Sequence, residues 1–163
     1  MAKEDFERCL NFVFRWEGEY SNDKDDPGGL TIYGISSRSF PDAVKRMEEY
    51  YKAGKKAEAK EIAKGIYKKY FWDKIKGDGL AKGWDLIVFD TAVNMGVETA
   101  KELMHIATTK EDYLLLRIKK YALICRKNPK MQKFLLGWIN RVVALYEEVK
   151  KYDRDTTTKS TNS

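Results

Sequence analysis

The chain has 163 residues, 43% hydrophobic, 34% charged and 13% aromatic, with a formal net charge of +6. That length supports one domain with a core of its own, without disulfide or metal staples. The aromatic content excludes a disordered chain, 11 Gly with 3 Pro exclude a collagen-like or low-complexity one, and no apolar run reaches the roughly 18 residues of a membrane span.

In chain order the sequence reads as mainly α. Phe6, Leu10, Val13 and Phe14 recur at helical spacing and predict an amphipathic helix over residues 4–17, stopped by Gly18. Ahead of it, Met1 to Asp5 hold no basic stretch with an apolar core behind it. No secretory leader is expected there, and synthesis in the cytoplasm is. Residues 18–35 change to turn chemistry, with Asn22, Asp23, Asp25, Asp26, Pro27, Gly28, Gly29 and Gly34. Within them the alternation of Leu30 and Ile32 with Thr31 and Tyr33 predicts a short strand in a hairpin with residues near 19–22. Pro41-Asp42 opens a helix to about residue 53, Gly54 breaks it, and Ala57 to Tyr70 is the next. Gly77, Gly79 and Gly83 punctuate a loop. Helices follow over Trp84–Met95, 97–107, 111–127 and 130–152, with Gly96 and Pro129 as punctuation. One domain over 1–152 results, an N-terminal part of about 1–80 leading into a C-terminal helical part of about 81–152. The Thr/Ser/Lys-rich stretch 153–163 is expected to be a disordered tail.

Charge is uneven along the chain. Residues 1–44 carry a net −4, residues 45–76 a net +6 and the remainder +4. A cationic middle favours polyanions such as nucleic acid, an anionic membrane or an anionic cell wall. No helix-turn-helix, zinc-finger or RNP pattern supports nucleic acid. Cys9 and Cys125 fall within helical apolar patterns and read as buried free thiols. With one histidine, His105, and no Cys/His ligand spacing, neither a metal nor a cofactor is implied.

Glu17 draws attention first. It continues the stripe of Phe6, Leu10 and Val13, so its carboxyl sits at the end of an apolar face and at a helix C-terminus. Desolvation and the helix dipole both disfavour the charged form there, which suits a general acid. The Asp cluster offers a partner. A calcium loop starting at Asp23 fails, because its twelfth position is Gly34 and its fifth is Pro27. Asx-turn capping fits some of these residues. A second carboxylate facing Glu17 is the other use, and Asp26 follows Glu17 by nine residues across a hairpin-like return. Glycoside hydrolysis by inversion needs such a pair about 6.5–9.5 Å apart.

The segment from Trp16-Glu17-Gly18-Glu19-Tyr20 through Asp26-Pro27-Gly28-Gly29-Leu30-Thr31-Ile32-Tyr33-Gly34-Ile35 resembles the opening motif of glycoside hydrolase family 108, the N-acetylmuramidases of the lysozyme-like superfamily. The likeness continues through Tyr70 and Trp72, through Phe89-Asp90-Thr91-Ala92-Val93-Asn94-Met95-Gly96, and through Gly137-Trp138-Ile139-Asn140-Arg141. It covers roughly residues 6–150. The resemblance implies a lysozyme-like, mainly α domain with a small β-hairpin after the first helix. It implies a peptidoglycan substrate cleaved at the β-1,4 bond between N-acetylmuramic acid and N-acetylglucosamine, with Glu17 as the acid. Phage lysozymes of the wider superfamily space Glu, Asp and Thr in a similar way, which implies Asp26 and Thr31 as the water-positioning side. Where the family usually has a second Gly, this chain has Glu19. It reads as an exposed strand residue or as a like charge coupled to Glu17.

Other residues carry two readings each. Asp90 and Asn94 share a helix face and serve either as substrate contacts or as a buried network bracing helices. Tyr33 and Trp84 either stack on sugars or pack in the core. Trp138 reads as core and Arg141 as a structural ion pair. The function expected is that of a monomeric peptidoglycan muramidase of the endolysin type. It acts on wall glycan strands without inserting into the membrane, after release through a separate membrane pore. A lytic transglycosylase and a non-catalytic wall-binding module are the alternatives.

Overall fold

The computed structural model describes residues 2–24 and 29–161. It is mainly α, with a small antiparallel sheet after the first helix, as the sequence leads one to expect. The chain divides into two units, Met1–Asp78 and Gly79–Ser163.

In the first unit, α1 (Ala2–Trp16) buries Phe6, Cys9, Leu10, Phe12 and Val13. Then come β1 (Tyr20–Ser21), β2 (Thr31–Ile32) and β3 (Ile35–Ser36), an antiparallel sheet in the order β1-β2-β3. Tyr20 lies opposite Ile32, and Ile32 opposite Ile35; Ser21 lies opposite Thr31, and Thr31 opposite Ser36. Because side chains alternate along a strand, this register sorts Tyr20, Ile32 and Ile35 to one face and the hydroxyls of Ser21, Thr31 and Ser36 to the other. Ile32 and Ile35 are buried, and α2 (Pro41–Lys52), which buries Val44 and Met47, packs on β2 and β3. The expected hairpin is present, and a third strand extends it. Helix α3 (Lys56–Tyr67) packs on α2 and widens into a π turn over Lys68–Trp72. The π turn ends on a fully buried Trp72, whose ring meets Phe6 at 5.4 Å and whose indole N–H donates to Asp78 at 2.8 Å. A side chain at Gly77 would overlap that indole, so glycine is required there by space alone.

In the second unit, α4 (Trp84–Met95) is buried continuously from Asp85 to Ala92. It is followed by α5 (Val97–Ile106) and by α6 (Lys110–Lys127), whose first turn is capped by the Thr109 hydroxyl accepting from the Asp112 amide. The single helix expected over 130–152 is two elements. Asn128 and Pro129 start a 3-10 turn over Pro129–Phe134, and α7 (Leu135–Thr161) follows. No Gly or Pro interrupts the sequence after Gly137, and the helix runs past Asp153 to Thr161. Cys9 and Cys125 are buried free thiols, as their helical placement predicts. Among the described residues no helix is long and apolar enough to cross a membrane.

The core of this unit holds an ion cluster. Asp90 is fully buried between Arg141, which donates from Nη2 at 2.8 Å and from Nε at 3.0 Å, and Arg117, which donates from Nη1 at 2.8 Å. Arg117 also donates to Thr91 and Tyr121, and Tyr121 in turn donates to Asn94. The cluster ties α4 to α6 and α7. Of the two readings for Asp90, substrate contact fails, since no surface of the residue reaches solvent and both oxygens face guanidinium groups. Arg141 is the structural ion pair expected of it. Burial pushes the Asp90 carboxyl up, but Arg141 and then Arg117 more than offset this and hold it below the usual range. Removing the carboxylate would leave two buried cations facing each other, and breaking such a cluster costs about 3–5 kcal/mol. Asp90→Asn is therefore expected to lower stability by about that much in urea unfolding. The depressed group also fixes the sign of the pH effect: its contribution is complete above the ordinary carboxylate range and disappears as pH falls through its lowered value.

Candidate active site

Glu17 follows the last turn of α1, its amide still bonded to the Val13 carbonyl at 2.9 Å. The side chain is half-buried, as its place on the apolar stripe requires. What it rests on is the turn between β2 and β3. Tyr33 and Gly34 form a two-residue loop with φ of 49° and 81°, and two positive φ values make a type I′ turn. A Cβ on Gly34 would lie 2.8 Å from Glu17 Cβ and Cγ and would collide with the Tyr67 hydroxyl. The position therefore excludes every side chain twice, by conformation and by space. Tyr33 is the strained partner, since a left-handed conformation costs a non-glycine residue on the order of 1–3 kcal/mol. Three contacts hold it there. Its amide donates to the Glu19 carbonyl at 2.8 Å, its own carbonyl accepts from Tyr67 at 2.6 Å, and its ring is edge-on to Phe14 and Tyr51.

The other expected site residues fall in different places. Thr31 is half-buried on the hydroxyl face of the sheet. Asp26 lies outside the described residues. Tyr33 is 6% exposed, its ring packed against aromatic neighbours, and burial followed by the Glu19 charge raises its phenol pKa. It supports the turn from within. Trp84 stands edge-on to Tyr113 in the second unit. Asn94 is half-buried and accepts from Tyr121, so it belongs to the Asp90 cluster. Sequence reasoning passed over Tyr67 and read Gly34 only as turn chemistry. The signal Gly34 carries is that of a glycine closing a short alternating run. Tyr67 looks like any other core position of α3.

Glu19 is exposed at the entry to β1. It accepts from Tyr51 at 3.0 Å and from Lys56 at 3.1 Å. The Lys56 hydrogen bond, then that of Tyr51, then the Lys56 charge hold its carboxyl below the usual range. Lys56 also lies over the Tyr51 ring at 5.1 Å.

A family model described as glycosyl hydrolase 108 matches residues 10–96. The chain belongs to glycosyl hydrolase family 108. It is therefore a glycoside hydrolase. The solved structure of Brucella abortus SagA is similar, with 24% identity over 95% of this chain and 99% of that one, and a TM-score of 0.70. At that identity the likeness establishes the fold. No curated protein matches the chain.

A glycoside hydrolase needs a proton for the leaving oxygen. Of the two carboxyls at the end of α1, Glu19 has cation and phenol partners that favour its ionised form, the opposite of what a proton donor needs. Lys56→Met is expected to raise the Glu19 titration midpoint toward the ordinary range, read by carboxyl-carbon NMR. Hydrolysis should stay within about twofold of wild type, since an exposed pair contributes little to the fold.

Proposed function

We propose that this glycoside hydrolase is a peptidoglycan muramidase. It cleaves the β-1,4 bond between N-acetylmuramic acid and N-acetylglucosamine, with Glu17 as the general acid. The observation that carries this reading is the seat of Glu17. In a chain of this family, a half-buried glutamate at the end of an apolar helix face has its stem packed against the glycine of a two-residue turn. A proton donor needs such fixed placement, because general acid catalysis works only within hydrogen-bond reach of the leaving oxygen.

Asp26 and Thr31 complete the reading as the residues that position or activate the attacking water. Inversion needs that second carboxylate, held apart from the acid by the width of a water. Thr31 stands at the centre of the hydroxyl face, between Ser21 and Ser36. The cationic stretch over residues 45–76 suits an anionic wall, an attraction that added salt screens. Acting as a monomer after release through a separate pore is part of the same reading.

The test compares wild type with Glu17→Gln on purified peptidoglycan, by turbidity and by mass of the released muropeptides. Wild type is expected to release reducing ends that have gained water. Glu17→Gln should lose at least about a hundredfold in rate, the scale of general acid catalysis, with its fold intact. Anhydro products would replace hydrolysis with a transglycosylase reaction. Wall binding without release would make the chain a binding module.

A further inference from the structure

The hydroxyl of Tyr67 is buried in α3 and donates its single proton to the Tyr33 carbonyl. That bond fastens the helix to a turn whose first residue has φ of 49°. The second residue of the turn is Gly34. The side of Gly34 that a Cβ would occupy is filled by the Tyr67 hydroxyl and by Cβ and Cγ of Glu17. The phenol, the glycine and the stem of the carboxyl thus form one packed group. The phenol fixes the turn, and the turn is the surface the Glu17 stem rests on. The Tyr67 ring is itself fixed edge-on to Phe14 at 5.7 Å and against Phe71 at 5.7 Å. Phe14 belongs to α1, the helix that Glu17 directly follows, so Tyr67 contacts that helix and the turn together.

We propose that Tyr67 is a positioning residue for the proton donor Glu17, acting through the Tyr33–Gly34 turn. This rests on the reading of Glu17 as the acid. Tyr67 has no exposed surface, so it does not meet substrate. Its effect is on the reach of the carboxyl, and a misplacement of about 1 Å at a catalytic group costs on the order of a hundredfold in rate. Binding of glycan elsewhere in the site is unaffected, so the loss belongs in kcat rather than KM.

The experiment is steady-state hydrolysis of solubilised peptidoglycan strands by wild type, Tyr67→Phe, Phe71→Leu, Gly34→Ala and the double variant Gly34→Ala/Tyr67→Phe, below the unfolding temperature of each. Tyr67→Phe keeps the ring and removes only the oxygen. It is expected to lower kcat by about tenfold to a hundredfold with KM within about twofold. Phe71→Leu weakens the same aromatic contacts without touching the turn, so it should lower Tm and leave kcat near wild type. Gly34→Ala attacks the turn from its other side and gives a second route to the same loss. Adding Tyr67→Phe to Gly34→Ala should cost less than Tyr67→Phe costs alone, because the oxygen the new Cβ meets is gone. An active wild type whose kcat survives Tyr67→Phe, or falls equally in Phe71→Leu, overturns the positioning role and leaves the muramidase reading standing. A wild type that releases no new sugar ends overturns that reading, and the positioning role falls with it.

Discussion

The arrangement around Glu17 depends on one residue having no side chain. Gly34 stands where the end of α1, the β2–β3 turn and α3 meet, and a Cβ there would press on Glu17 and on Tyr67 together. Its φ of 81° is the second demand, because the chain must reverse in two residues to bring Ile35 back opposite Ile32. Both demands point to glycine, and once they are met the rest follows. The sheet gains its third strand, Ile32 and Ile35 fall on one face, and the buried row packs on α2. Tyr33, one residue earlier, is the compromise. It accepts a left-handed backbone because its ring and its carbonyl are worth more in place than the strain costs.

The two units stabilise themselves by different physics. The first is built on ring contacts. Tyr20, Tyr51, Tyr33, Phe14, Tyr67, Phe71, Phe40 and Tyr70 form a continuous row with successive centroids 5.1 to 6.4 Å apart. Each such pair adds about 0.5–1.5 kcal/mol beyond the area it buries. No single contact in the row is decisive, but together they hold three helices and a sheet of two-residue strands that could not persist alone. The second unit puts charge at its centre. Three ionised groups give up hydration, which only geometry repays, and the Arg117 Nη2 has no hydrogen-bond partner among the described residues. Helices α4, α6 and α7 fit in the one arrangement that brings both guanidinium groups to one carboxylate.

Legibility in the sequence follows the range of the interaction. The stripe Phe6, Leu10, Val13, Glu17 is local periodicity, and both the helix and the half-burial of its last carboxyl were readable from it. The hairpin was readable from alternation beside turn residues. The third strand was not, because Ile35-Ser36 is too short to alternate visibly. The π turn at Lys68–Trp72 was hidden as well. It ends on Trp72 buried against Gly77 and Phe6, a tertiary contact with no local signature. Asp90 shows the limit most clearly. Its spacing from Asn94 placed both on one helix face, but whether that face met a sugar or two arginines depended on residues 27 and 51 positions away.

Glu17 and Glu19 make the same argument within one short segment. They are the same residue type, two positions apart, at the end of one helix. Composition and motif can assign a carboxyl to the site but cannot divide roles between these two. Their neighbours do. Glu19 turns outward to a lysine and a phenol that donate to it, and such partners favour the carboxylate. The stem of Glu17 turns toward Gly34, against the space a side chain there would fill. An exposed ion pair at position 19 is therefore compatible with the role proposed for Glu17. It holds the Glu19 charge toward Lys56 and Tyr51 on the exposed side of the segment. The added carboxylate at position 19 is thus taken up by an exposed ion pair, and Glu17 remains the carboxyl for the proposed donor.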